Sequence, residues 1–148
     1  ALEEHRRIFG APPGSDLGVR YDAALEAMTV FAAFDPRLAG DLVEGRSGAG
    51  TRVCLHLHTD DPEAVLLKLQ ELGIPADRRD VPVELPGEGS TRQPAWRFLA
   101  GDIPFEVLQL PGSALREPPR DPLDGAPMRR LSAAAVRALQ ASPADPAA

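Results

Sequence analysis

Several kinds of residue are scarce in this sequence of 148 residues, and each scarcity argues against a class of protein. Cys54 is the single cysteine, so the chain cannot form an internal disulfide. No apolar run approaches the roughly 18 residues of a membrane-spanning helix, so we expect no membrane association. Lys68 is the single lysine and the net charge is −6, which disfavours a nonspecific nucleic-acid binder because such a protein needs a basic face. A small anion held by a few arginines is compatible with this charge.

No secretory leader is visible, and we therefore expect a cytoplasmic protein. The chain opens at Ala1 directly in a helical pattern, so we expect it to be part of a longer protein. Of its residues 43% are hydrophobic, which at this length is enough for one domain with a buried core.

Hydrophobic periodicity and the positions of proline and glycine predict the order of the elements. We expect a helix and linker over residues 1–14, an α+β domain over 15–112, and a Pro/Arg-rich segment with a short helix and a disordered tail over 113–148. The expected domain elements are a helix capped by Ser15, strands over 37–43, 52–58, 79–85, 95–100 and 103–110, and a helix capped by Thr59 or Asp60. Pro82 predicts that its strand lies at a sheet edge. This order favours a mixed sheet of about five strands with helices mainly on one face.

The strand at residues 52–58 carries most of the reactive side chains in the domain. Its alternation places Val53, Leu55 and Leu57 on one face, and Arg52, Cys54, His56 and His58 on the other. Cysteine and histidine at this spacing could contact zinc, but no fourth ligand has an obvious spacing, so we predict no metal site. We interpret the second face as a polar, solvent-side surface. A thiolate nucleophile is also disfavoured, because Cys54 lies in mid-strand and not at a helix N-terminus.

Several motifs resemble those of uncharacterised bacterial proteins described as nucleotidyltransferase-like: PRLAG, VCLHLHTDDPEAV, ELGIP, FLAGDIPFEVLQLP and DGAPMRR. The wider resemblance is to the DNA polymerase beta-like nucleotidyltransferase fold, over about residues 20–110. That fold implies a Gly-Ser step, where this chain has Gly40-Asp41, and then a turn glycine, here Gly45. It also implies an Asp-x-Asp strand, here residues 52–57, and a third carboxylate on a later strand, here Glu106.

The chain departs from this family's pattern at the metal site. Nucleotidyl transfer needs two carboxylates, two residues apart, to hold Mg²⁺, and those positions carry Arg52 and Cys54. Arginine repels a cation and a neutral thiol is a poor ligand for a hard ion, so Mg²⁺ binding is disfavoured. Glu106 remains as a catalytic remnant, and we expect Arg52 either to pair with it or to bind a phosphate.

The resemblance thus implies a degenerate transferase that acts as a nucleotide-binding or regulatory module. Its expected ligand is a nucleotide or another small anion, and no other cofactor is implied. The expected binding cleft consists of Gly40, Asp41, Arg52, Cys54 and His56, with Glu106 as the remnant of the catalytic set.

Two other functions stay open. The run from strand 52–58 through helix 61–72 to three strands is similar to half of a vicinal-oxygen-chelate (glyoxalase-like) domain. That resemblance implies a metal-dependent enzyme with His56 and Glu106 as ligands, in which two such modules share a cleft. The other alternative is a partner-binding structural domain, whose unidentified protein partner would meet the C-terminal arginines. We favour a solvated surface for these arginines, because acidic residues are interleaved with them.

Overall fold

The fold is described from a computed structural model that defines residues 15–141. The helix expected in residues 1–14 and the disordered tail expected from residue 142 onward lie outside the described residues. Within this range the elements are α1 (Asp16–Val30), β1 (Arg37–Ala39), β2 (Val53–His58), α2 (Ala64–Glu71), β3 (Asp77–Leu85), β4 (Gly89–Ala100), β5 (Ile103–Leu110) and α3 (Ala133–Ala141). Short 3-10 turns follow α1 at Ala32–Phe34, β1 at Asp41–Glu44 and β5 at Gly112–Leu115.

The five strands form one mixed sheet in the order β1-β2-β5-β4-β3. β2 and β5 are parallel, and the other neighbouring pairs are antiparallel. The predicted α+β class with a mixed five-stranded sheet is therefore confirmed. The edge position predicted for the strand that contains Pro82 is also confirmed, because β3 is the last strand in the order.

The three helices of residues 15–141 pack on the same face of the sheet, which holds the main core. Buried sheet residues on this face include Leu38, Val53, Leu55, Leu57, Trp96, Phe105 and Val107. Their helical partners are Tyr21, Ala24 and Met28 of α1, Val65 and Leu69 of α2, and Val136 of α3. The predicted arrangement, with helices mainly on one face, is confirmed by this core.

Helix α1 begins as the sequence predicts. The Ser15 hydroxyl accepts a hydrogen bond from the amide of Gly18 at 3.0 Å, which satisfies one of the free donors of the first turn. Further along, the Tyr21 hydroxyl donates to the carbonyl of Leu42 at 2.8 Å. Helix α1 is thereby joined to the turn that follows β1.

Several expected boundaries differ in the structure. The strand expected over 95–100 begins at Gly89, because β4 pairs with the whole length of β3 from Leu85 onward. The strand expected over 37–43 ends at Ala39, because Gly40 adopts a φ of 83° that favours glycine and turns the chain into the 3-10 turn. Helix α2 begins at Ala64, and neither Thr59 nor Asp60 caps it. Thr59 instead accepts from the amide of Asp61 at 3.1 Å, so its hydroxyl serves the turn before the helix.

The segment after β5 covers part of the opposite face, which we call the polar face and define by Cys54, His56 and Glu106. Ala114 packs there against Val83, Leu85 and Leu110 in a second small core. Leu131 then exchanges two backbone hydrogen bonds with Leu38 of β1, at 2.8 and 2.9 Å. The chain from β5 to α3 therefore passes over the polar face and returns to the sheet edge. No helix in residues 15–141 is long and apolar enough to cross a bilayer.

Candidate functional site

Strand register builds a row of polar side chains across the polar face. Cys54 of β2 lies opposite Glu106 of β5, and Glu106 lies opposite Arg97 of β4. Residues directly opposite on neighbouring strands share a face of the sheet. Two of the three positions at which the nucleotidyltransferase resemblance expects carboxylates, Cys54 and Glu106, therefore lie side by side, with Arg97 next to Glu106.

Glu106 forms an ion pair with Arg97, whose Nε lies 2.6 Å from Oε1 of Glu106. The expected pairing of Glu106 with Arg52 is wrong. Arg52 precedes the first residue of β2 and lies one row away from Glu106, whereas Arg97 lies directly across the β4–β5 hairpin. Arg97 was missing from the expected site. The tight turn that joins the two strands predicts this register, so the pairing of Arg97 with Glu106 could have been predicted from the sequence.

The thiol of Cys54 is neutral in this setting. Burial, together with the negative charge of Glu106, raises the pKa of Cys54 to about 11. A Cβ atom on Gly40 would lie 3.5 Å from the Cys54 sulfur, so the glycine is packed directly beside the thiol. A neutral, half-buried thiol is neither a ready nucleophile nor a ligand for a hard cation.

His56 and His58 share the polar face with Cys54, but they are buried. Each histidine is 5% exposed, so the expectation of a solvent-side surface at these two positions is wrong. The reason is Arg130, whose Nη1 lies 2.9 Å from Nε2 of His58 and 3.3 Å from Nδ1 of His56. A guanidinium can only donate, so both rings accept through these nitrogens. His58 in turn donates from Nδ1 to the carbonyl of Asp35 at 2.8 Å, which defines a neutral ring.

The same guanidinium also holds the chain segment that covers the sheet. Nη2 of Arg130 donates to the carbonyls of Ala114, at 2.8 Å, and Leu115, at 3.2 Å. We call Arg130, the two histidines and these two carbonyls the Arg130 clamp. No carboxylate lies within ion-pair distance of Arg130 among residues 15–141. The clamp therefore consists of a cation held by neutral acceptors.

Burial is the main cause of the clamp's unusual titration. It lowers the pKa of His56 to about 3, with further contributions from Arg130 and His58. It also lowers the pKa of His58 and, with help from nearby Arg37, brings the pKa of Arg130 down to about 10. The histidines are thus held neutral at physiological pH. Arg130 is a residue that sequence reasoning missed, and it is 72 positions away from His58, so no local signal indicates the contact.

The three potential zinc ligands on β2 do not converge. Within the described part of the chain, no group of three or more His, Cys, Asp or Glu side chains is arranged to hold a metal ion. His56 and Glu106, the ligands implied by the vicinal-oxygen-chelate resemblance, are each engaged by a different arginine. They also belong to different rows, because Glu106 lies opposite Cys54 and His56 lies opposite Leu108.

Two separate hollows flank the row. The first, about 530 Å³ in volume, is lined by Arg52, Pro75, Ala76, Asp77, Arg97, Phe98 and Leu99. We call it the arginine hollow. The second, about 290 Å³, is lined by Gly40 and Asp41 together with residues of the C-terminal segment. The expected cleft is therefore divided: Arg52 faces one hollow, Gly40 and Asp41 face the other, and His56 lies in the clamp.

The C-terminal arginines mostly contact the chain itself. Arg129 pairs with Glu44 at 3.3 Å, Arg120 donates to the carbonyl of Gly125 at 3.0 Å, and Arg130 forms the clamp. Arg116 and Arg137 are exposed. Arg120 and Arg129 are exposed as well, so four of the five arginines of the expected partner-binding surface remain accessible and only Arg130 is withdrawn from it.

Comparison with known proteins adds no identification. No family model, curated protein or solved structure matches the chain. The function is therefore inferred from the geometry of the site.

Proposed function

We propose that the chain is a nucleotidyltransferase-like binding module that holds a nucleotide in the arginine hollow without metal-dependent transfer. The observation that carries this proposal is a pair of guanidinium groups, Arg52 and Arg97, that line one hollow at the open end of the polar face. Planar guanidinium groups bind phosphate oxygens in a bidentate manner, which makes arginine well suited to such a ligand.

Both arginines have hydrogen-bond donors that no group in residues 15–141 uses. Arg52 has no ion-pair partner among residues 15–141. Arg97 contacts Glu106 through Nε, and its two terminal nitrogens have no hydrogen-bond partner within the same range. A phosphate group that meets both side chains would be bound by two cations, one of which is already oriented by Glu106.

Asp77 favours a nucleotide over a bare phosphate. It is exposed, lines the same hollow and lies opposite Arg97 on β3. A carboxylate repels a phosphate group that lies beside it but accepts hydrogen bonds from hydroxyl groups. Its role in the proposal is to accept hydrogen bonds from the ribose while the phosphates lie beside Arg52.

Metal-dependent transfer is disfavoured by the same residues. The Asp-x-Asp positions hold a cation and a neutral thiol, and the pKa of that thiol, Cys54, is raised to about 11. Glu106 is neutralised by Arg97. The residues therefore favour an anion that binds without a metal ion, with arginine in place of the metal as the partner of the phosphates.

Arg52→Ala is expected to weaken nucleotide binding about tenfold or more, because one of two charge-assisted contacts is lost. The measurement is calorimetric titration with nucleoside triphosphates at low salt and with a chelator present. Arg116→Ala is the matched control, since Arg116 is exposed and lies outside the hollow. Equal affinity in the Arg52→Ala and wild-type proteins, or no binding of any nucleotide at millimolar concentration, would contradict the proposal.

One observation favours a second candidate function. The run β2-α2-β3-β4-β5 forms a continuous sheet with β2 and β5 parallel, and this is the strand–helix–three-strand module on which the vicinal-oxygen-chelate resemblance depends. In that candidate, a second copy of the chain would complete the cleft.

Metal analysis separates the two candidates. We expect protein purified without chelator to hold clearly less than one equivalent of Fe, Ni, Mn or Zn, because His56 and Glu106 are engaged by Arg130 and Arg97. The measurement is elemental analysis of the wild-type, His56→Ala and Glu106→Gln proteins. A stoichiometric metal that both substitutions remove would favour the metal-dependent enzyme over the nucleotide module.

A further inference from the structure

We propose that the chain has a second binding site, for a small hydrophobic amine, on the helix side of the sheet. The site is a cavity of about 420 Å³ between α1 and the turn that joins β4 to β5. Its walls are apolar apart from one charged side chain, Glu26, and include Ala27, Val30, Phe98, Ile103 and Phe105.

The size and lining of this cavity match those of small-molecule sites. Such sites typically measure about 300 to 1,000 Å³ and have apolar, often aromatic, walls with few polar groups. An aromatic pair, Phe98 and Phe105, lies at the base of this hollow, stacked with ring centroids 5.3 Å apart, and the two side chains are 8% and 1% exposed. The surface open to a ligand body is therefore that of the partly exposed side chains around it, Ala27, Val30 and Ile103.

Glu26 determines the charge of the ligand. It is the only ionisable side chain of the lining, it is exposed, and it has no ion-pair partner among residues 15–141. Because Glu26 is exposed, water screens its charge, but it is the one charged side chain of an otherwise apolar lining. It therefore favours a cationic head group and repels a carboxylate or phosphate.

The orientation of the ligand follows from this arrangement. Its apolar body lies against Ala27, Val30 and Ile103, and its ammonium group donates to the Glu26 carboxylate. Phe98 contributes to both hollows, but the side chains of Arg97 and Phe98 lie on opposite faces of the sheet because neighbouring residues of β4 alternate. The two sites take ligands of opposite charge, so failure of one proposal does not decide the other.

Three probes of the same shape test the proposal: 4-phenylbutylamine, 4-phenylbutanol and 4-phenylbutyrate. We expect the amine to bind most tightly and the acid most weakly, with about tenfold or more between them, measured by ligand-detected NMR titration. In Glu26→Gln the amine should bind no more tightly than the alcohol, while the affinity for the alcohol stays the same. Glu88→Gln is the matched control, because Glu88 is exposed in the β3–β4 turn.

A second variant tests the location. Ala27→Leu adds volume to the cavity wall and should reduce the binding of all three probes together. Equal affinity for the three probes in the wild-type protein, or the same loss of amine binding in Glu26→Gln and Glu88→Gln, would overturn the proposal. It would also be overturned if the wild-type protein sedimented as a dimer that Ala27→Leu converts to a monomer, since a second copy would then occupy the cavity.

Discussion

Replacement of Arg130 by alanine is expected to lower the free energy of unfolding by about 2 to 4 kcal/mol, a large share of the stability of a domain of this size. The substitution removes one guanidinium that donates to four acceptors: His56, His58 and the carbonyls of Ala114 and Leu115. Both histidines are 5% exposed, so water cannot readily replace the lost donor. A buried acceptor without a partner costs about 1 to 3 kcal/mol.

Urea unfolding gives the measurement, as a fall in the midpoint concentration with an unchanged slope. Arg129→Ala is the matched control, because the neighbouring Arg129 forms only an exposed ion pair with Glu44 and should change stability by less than about 1 kcal/mol. Arg130→Lys should restore little, since a single ammonium cannot reach acceptors on both sides of the clamp. Similar midpoints for the Arg130→Ala and Arg129→Ala proteins would show that the clamp does not stabilise the fold.

The sheet could be predicted from the sequence because its signals are local. Alternation in residues 53–58 gives the face of each side chain, Pro82 indicates the edge strand, and Ser15 marks the start of α1. The end of β1 at Ala39 was harder to predict. It depends on a positive φ at Gly40, and the neighbouring apolar residues Leu42 and Val43 continue a strand-like pattern although they are buried in a 3-10 turn.

The candidate site was less accessible because its contacts join distant segments. The pairing of Arg97 with Glu106 follows from the register of one hairpin, which the sequence indicates. The burial of His56 and His58 depends instead on Arg130, which reaches them across more than 70 residues. A histidine on an exposed strand face and a histidine under a covering segment have the same local pattern, so only the tertiary structure distinguishes them.

The second large effect expected of the clamp is a loss of stability in mild acid. The pKa of His56 is lowered to about 3 and that of His58 is also lowered, from an ordinary value near 6.5. The unfolded chain therefore binds more protons than the folded chain once the pH falls below about 6.5. The free energy of unfolding keeps its full value above that pH and decreases progressively towards pH 3. The decrease is as much as about 1.4 kcal/mol per pH unit for each histidine that stays neutral in the folded chain.

The main physical cause is the burial of both rings, and a protonated ring would in addition turn an acceptor of Arg130 into a second donor. Unfolding free energies at pH 7.5, 6.0 and 5.0 measure the effect, and the window lies above the range in which Asp16, whose pKa is lowered from 3.8, begins to titrate. The His58→Gln side chain keeps a hydrogen-bond acceptor but does not titrate. The free energy of unfolding of this variant should therefore fall less steeply with decreasing pH than that of the wild-type protein.

Because Arg130 also holds the carbonyls of Ala114 and Leu115, proteolysis of the covering segment should accelerate in the same pH range. A wild-type stability that is unchanged from pH 7.5 to pH 5.0 would mean that the two histidines are protonated in the folded chain as readily as in the unfolded one.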